Sequence, residues 1–368
     1  MLLIKTHQRS CCAVGQDLAE RLEVSKQRAR KIPAFRVGPL RTSRACCRSI
    51  RLEHVQPKAY PSGQKKNNRF TSVTRFSAAG NSGNGTSISS EGSAVTTAYT
   101  ALAAIIGASA AARLAAPSLY VQLANSACPN ATVQTLLRLT GATLLPVTAA
   151  FWALKGAAEH DRLGSNTYRR LNLGLVGWAA VNLALLSGET CALTSWCFSI
   201  QVAFYVATAA VGGYAWASSS GFAPTGRQII DGFLGDVQAL FGNKTFLSGL
   251  LAVLSVAAVA AGSLIINQPL EYFQPPEFRM GAGWLGKLAM RAYGANILFA
   301  AVVLTTLKDA LDRGRHTAST FKLLAKAAAG TAIAEIAIFA STGSTSGVVR
   351  ELLFGVIMAS YLQKPRVS

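Results

Sequence analysis

Arg138-Leu-Thr-Gly141-Ala142 returns 153 residues later as Arg291-Ala-Tyr-Gly294-Ala295. The same offset relates Leu145 to Leu298, Leu154-Lys155-x-Ala157 to Leu307-Lys308-x-Ala310, and Gly177 to Gly330. Just upstream, Pro117-x-x-Tyr120-x-Gln122 recurs as Pro269-x-x-Tyr272-x-Gln274 at an offset of 152. An internal duplication inside apolar sequence predicts an architecture of two stacked or facing units, as in many membrane bundles. It names no substrate.

Outward from these motifs the chain is strongly apolar. It is 51% hydrophobic and 14% charged, with a mean hydropathy of +0.32, whereas a soluble domain carries roughly a quarter charged residues. Eight apolar segments follow one another, near 94–115, 134–155, 168–187, 193–217, 246–266, 287–307, 320–341 and 347–363. Crossing about 30 Å of hydrocarbon takes roughly 20 helical residues, and most segments meet that length. The runs are too long for strands and lack the alternation of a membrane barrel. Trp196 and Trp216, 20 residues apart, suit an aromatic residue at each interface of one span. The expected fold is therefore an all-α membrane protein of eight transmembrane helices, arranged as two four-helix repeats over 94–217 and 246–363.

Charge placement orients them. With the N-terminus on side A, that side carries Lys155, Arg162, Arg169 and Arg170 in one loop region, Lys308, Arg313, Arg315, Lys322 and Lys326 in another, and Lys364 and Arg366 in a short basic tail over 364–368. Side B is poorer in cations, so side A is the stromal or matrix side by the positive-inside rule. Four spans per repeat is an even number, which makes the repeats parallel, with a pseudo-axis along the membrane normal. Between them, 218–245 reads as an amphipathic linker in the side-A interface, with Ile229, Ile230, Phe233, Leu234, Val237, Leu240 and Phe241 at helical spacing.

The net charge of +20 is concentrated at the start of the chain. Residues 1–85 hold 17 Lys/Arg against four acids. Rich in Arg and Ser and without a long apolar run, 1–78 has the composition of a disordered organelle transit peptide, followed by a flexible tether over 79–93. A chloroplast membrane, thylakoid or inner envelope, is the expected location, with both termini of the mature chain stromal and the mitochondrial inner membrane as the alternative. No folded stretch interleaves basic and aromatic residues, so nucleic acid is not an expected partner. The expected partners are the lipid bilayer and other membrane subunits.

Four groups of residues are candidates for chemistry. Glu335 is an acid well inside a span, where an ionisable group costs at least about 2.5 kcal/mol; its counterpart at the 153-residue offset is Asn182. Together they form a candidate midplane polar pair, against helix–helix hydrogen bonding as the plainer explanation. Arg138 and Arg291, taken as starting the second span of each repeat, are candidate interface cations for an anion or head group, against simple snorkelling. Cys128 and Cys191 fall in side-B loops and allow a disulfide if that side is oxidising. Gln201 and Tyr205, four apart, share a helix face that can line a cavity. No metal site or cofactor is expected: metal, nucleotide and hydrolase motifs are missing from the sequence. A protein that binds or moves a small solute or ion between its repeats is the leading expectation. A membrane assembly scaffold is the alternative, and an enzyme without a recognisable motif comes third.

Overall fold

The structure, a computed structural model, describes residues 88–123, 131–188, 195–219, 241–242, 244–268 and 283–364. The expected transit peptide, most of the linker 218–245, and Cys128 and Cys191 lie outside them. The helices are α1 Ile88–Ala115, α2 Pro117–Leu123, α3 Ala131–Glu159, α4 Asn166–Ser187, α5 Ser195–Ser219, α6 Phe246–Asn267, α7 Gly283–Asp312, α8 Ser319–Ser341 and α9 Thr345–Gln363. Among the described residues no strand is present. Eight of the helices, all but the short α2, are long and apolar enough to cross a bilayer. A multispanning integral membrane protein follows from this, because in lipid a backbone must satisfy its own polar groups and a helix does so within one segment. The outward faces carry Ile105, Val253, Val256, Ile333, Leu353 and Val356, all exposed apolar side chains suited to acyl chains.

The bundle is organised about α3 and α7, its two most enclosed spans. They pack on each other; α1 lies along α3 and α6 along α7, while α4 rests on α7 and α5, and α8 on α3 and α9. Glycines set the closest crossings. A Cβ on Gly294 would stand 2.9 Å from the Gly262 carbonyl oxygen, and one on Gly262 2.8 Å from that of Gly294. On the other side, a Cβ on Gly141 would stand 3.0 Å from Ala110 O. Lipid supplies no hydrophobic drive between helices, so such backbone approach is how they gain dispersion contact.

Two side-A turns share a backbone pattern. Arg162 N–H bonds Ala157 O at 2.8 Å and Asp161 N–H bonds Ala158 O, while Arg315 N–H bonds Ala310 O at 2.7 Å and Gly314 N–H bonds Leu311 O. Asp161 (φ 51°) and Gly314 (φ 66°) are left-handed. Both turns are Schellman endings, in which one left-handed residue lets two N–H groups satisfy the last carbonyls of a helix. Glycine takes that conformation freely and aspartate tolerates it.

Spans two and six are longer than their apolar runs, which corrects the placement of the two arginines. Arg138 and Arg291 do not start their helices; each lies about two turns inside, and both are half-buried. Apolar runs mark where lipid begins, whereas hydrogen bonding carries a helix on through its polar ends. Lys155 and Lys308 are likewise not terminal. Each pairs one turn on, with Glu159 and Asp312, inside the same helix.

Pro146 sits buried within α3. Lacking an N–H, it leaves the carbonyl of Ala142 without its helical partner. The Thr331 hydroxyl of α8 takes that place, donating to Ala142 O at 3.1 Å and sharing its proton with Ala327 O of its own helix. In hydrocarbon an open carbonyl costs several kcal/mol, so this side chain stabilises both the break in α3 and its contact with α8.

Candidate functional site

Glu335 is buried on the inner face of α8, six residues before its end at Ser341, about 9 Å along the axis. It therefore lies toward side B, away from the middle of the span. Its carboxyl lies in the electrostatic neighbourhood of the Tyr293 hydroxyl of α7 and the Glu351 carboxyl of α9. Glu351, itself buried, accepts from Arg350 Nε at 2.7 Å. The Arg350 guanidinium lies 5.3 Å over the Phe339 ring of α8, with 53% of its side chain exposed. Gly347 lets the start of α9 press against that same ring: a Cβ there would meet Phe339 at 2.6 Å. The result is a chain of groups running inward from the surface, Arg350 to Glu351 to Glu335 to Tyr293.

Two carboxylates buried near one another in an apolar bundle repel. One guanidinium balances one carboxylate, so the second acid must hold either a proton or a small cation. Glu335 Oε1 has no hydrogen-bond partner among the described residues, which leaves an acceptor open for that role.

Asn182 lies in a separate cluster. It is buried on α4, and its Nδ2 donates to Trp178 O one turn back at 2.9 Å. It lines a small cleft with Arg113, Tyr120, Gln201 and Tyr205, closed on the far side by Leu285 and Ala289 of α7. That cleft is only about 30 Å³; a separate cavity of about 220 Å³ between α1, α3 and α5 shares Arg113, Tyr120, Gln201 and Tyr205 with it, has Cys197 on its wall, and is not lined by Asn182. Arg113 donates to the Tyr120 hydroxyl at 3.0 Å and stacks 4.6 Å over its ring; Gln201 Nε2 also donates to that hydroxyl, at 3.4 Å. The shared face of Gln201 and Tyr205 thus lines a cavity. Among the described residues, no hydrogen bond joins Asn182 to Glu335.

Between α3 and α7 the polar groups are paired with one another. Asn296 Nδ2 donates to Thr143 Oγ1 at 3.0 Å and to Thr140 O at 3.3 Å, while its Oδ1 accepts from Trp178 Nε1 at 2.9 Å. Thr140 Oγ1 reaches Ala289 O at 3.1 Å, which puts Arg138 and Arg291 within a turn of the same level. This network holds helices together and presents no open group.

Glu335 stood out in the sequence, but its companions did not. Arg350 and Glu351 are adjacent opposite charges in the shortest span, a pattern that signals a buried acid with its counter-ion. Arg113 is the one cation of the first span and reads as an ordinary snorkelling residue until Tyr120 is seen beneath it. Compared with protein-family models and with curated proteins, the chain finds no match in either.

Proposed function

We propose that this is an organelle membrane protein that takes up a proton or small cation at Glu335 and Glu351 and couples it to the movement of a small ion or solute. The observation that carries this reading is the burial of two acids on the neighbouring helices α8 and α9, backed by a single guanidinium, inside the apolar bundle. Intramembrane acids are expensive and recur along proton and ion paths. The 220 Å³ cavity at Arg113, Gln201 and Tyr205, next to the small cleft at Asn182, is the place for the solute.

The proposed build is two parallel four-helix repeats behind a chloroplast transit peptide, with stromal termini and the mitochondrial inner membrane as the alternative location. Several observations support the duplication. The turns at Asp161 and Gly314, the pairs Lys155–Glu159 and Lys308–Asp312, and the glycine crossings at Gly141 and Gly294 all stand 153 residues apart. Thr143 and Asn296, also 153 apart, bond each other directly, as equivalent positions beside a two-fold axis would.

Reconstituted liposomes with an internal pH-sensitive dye test the activity. The wild-type protein should dissipate an imposed proton or cation gradient, and Glu335→Gln and Glu351→Gln should slow it at least tenfold with helix content unchanged. Wild-type liposomes as tight as empty ones, or a Glu335→Gln variant as active as wild type, would overturn it. The latter outcome favours the scaffold reading, which has an observation of its own in the filled, hydrogen-bonded seam between α3 and α7. A fluorescent tag at the C-terminus, followed in a plant or algal cell, separates chloroplast from mitochondrial membranes.

A further inference from the structure

A second site stands at the opposite end of the bundle from Glu335. On side A, the α3–α4 turn and the α7–α8 turn face each other across a cavity of about 990 Å³. Arg162, Arg315, Lys322 and Lys364 line it, against the single acid Asp161. Helices α4 and α8 both begin on its wall, and neither Ser165 nor Ala318 caps its helix with a side chain. Two uncapped N-termini add the partial positive charge of their first-turn N–H groups to the four cations. The two turns are tied by a 3.0 Å hydrogen bond between the Tyr168 and Thr320 hydroxyls, so the charges are held on a fixed frame.

Charge alone on a side-A surface says only that the membrane there is anionic. Two buried groups say more. His316, 4% exposed, and Tyr361, 1% exposed, stand on the cavity wall with their rings in edge contact, centroids 6.2 Å apart. His316 Nε2 is 3.3 Å from Lys364 O. A carbonyl can only accept, so Nε2 carries the hydrogen, and His316 Nδ1 has no partner among the described residues. The Tyr361 hydroxyl is also buried with no partner among them. Unmatched buried polar atoms are costly and rare, and here they belong to two rings in edge contact. An anion with a hydroxyl beside it suits both: its anionic oxygen accepts from the phenol, and its hydroxyl donates to the imidazole nitrogen when that nitrogen bears no hydrogen. The four cations and the helix ends require it to be an anion.

We propose that this cavity binds a phosphate-bearing anion that also carries a hydroxyl, with the head group of an acidic phospholipid as its form in the membrane. The volume is several times that of a bare phosphate, and Phe321 and Leu362 on the wall suit the glycerol backbone and the first methylenes of a lipid. Basic pockets between spans on the positive side are the usual seats of such head groups. The site is independent of Glu335, and it makes the position of α8 and α9 depend on the lipid held between the turns.

The test uses the full chain in nanodiscs of phosphatidylcholine, of phosphatidylcholine with phosphatidylglycerol, and of phosphatidylcholine with added inorganic phosphate. Thermal unfolding and lipid retention in native mass spectrometry are read for wild type, for Arg162→Gln/Arg315→Gln, and for Arg313→Gln. Arg313 is an exposed cation of the same turn that lies off the cavity wall. Phosphatidylglycerol should raise the midpoint and remain bound. The double variant should weaken this by roughly 30-fold, two surface cations at about fivefold each, while Arg313→Gln leaves it unchanged. If inorganic phosphate alone gives the saturable, variant-sensitive shift, the ligand is a soluble phosphate and the lipid assignment falls. Stabilisation lost equally in Arg313→Gln, or absent with both probes, overturns the site.

Discussion

The surroundings of Asn182 and Glu335 are the most instructive contrast in this molecule. The two residues stand 153 positions apart, near the same end of α4 and α8, and both are buried. Around Asn182 the bundle opens a cleft whose polar groups are amides, phenols and one arginine, Arg113. Around Glu335 it closes on a second acid, a phenol and one arginine, Arg350. Each cluster contains a guanidinium stacked on an aromatic ring. Only in the second does that cation meet carboxylates. Amides and phenols around one arginine leave a single positive charge; one arginine beside two acids leaves a negative charge that a proton or a small cation would balance. The same kind of scaffold therefore carries two different chemistries, through a few side chains at one end.

The largest expected effect concerns the frame both clusters share. Gly294→Val would drive its side chain into the Gly262 backbone and Ile266 on α6, costing about 3 kcal/mol, the upper range for overpacking. Gly156→Val, with nothing within 4 Å of the added atom, should cost nothing and gain slightly in helix propensity. Detergent unfolding compares them, and equal costs would mean that the α6–α7 crossing is not set by backbone approach.

A transplanted acid comes next. Asn182→Glu places a carboxyl beside Arg113, so its cost, about 2.5 kcal/mol for an unpaired acid in a span, should be largely offset by pairing. In an Arg113→Gln background the full cost should return. A double-mutant cycle without coupling would show that Arg113 cannot do in the first half what Arg350 does in the second.

The two lysine pairs give a smaller contrast. Lys308 is 2% exposed, pairs with Asp312 and also donates to Gly242 O at 3.0 Å; Lys155 and Glu159 are 23% and 41% exposed. Lys308→Ala should cost about 1–3 kcal/mol, through the lost packing of a buried side chain and the half-buried Asp312 carboxylate left unpaired. Lys155→Ala should cost a few tenths. Similar losses in chemical denaturation would remove this difference between the halves.

The smallest effect tests the break in α3. Thr331→Val should cost about 0.6–1 kcal/mol, as interhelical hydrogen bonds in membranes do. With Pro146→Ala, which restores the N–H that Ala142 O lacks, the same change should become nearly neutral. A Thr331→Val cost independent of residue 146 would break the link between them.

The spans were legible because lipid leaves so few solutions: an apolar run of about 20 residues inside a bilayer is a helix. The glycines were legible as motifs, and their crossings follow from them. Helix ends were not, since Arg138 and Arg291 mark the start of apolar sequence while hydrogen bonding extends the helix beyond it. The expected pairing of Asn182 with Glu335 rested on sequence offset alone. Equivalent positions in two halves need not meet, and each of these found partners on helices of its own half. Glu351 and Arg350 reach Glu335 only through the packing of α9 on α8, which no local pattern encodes. The cavity on side A was hidden for the same reason, being made of two turns that lie far apart in the chain.

The Pro146 break also carries a consequence for assembly. The carbonyl of Ala142 waits for a hydroxyl 189 residues downstream. A chain threaded into a bilayer from its N-terminus inserts α3 long before α8 exists to complete it. Until then the first four spans hold an unquenched dipole in hydrocarbon, which admits water or bends the helix there. Maturation of the first half is thus postponed until the second arrives. A chain stopped after α5 should show a wider spin-label distance distribution across Pro146 than the whole protein, and one as narrow would mean that the early spans finish alone.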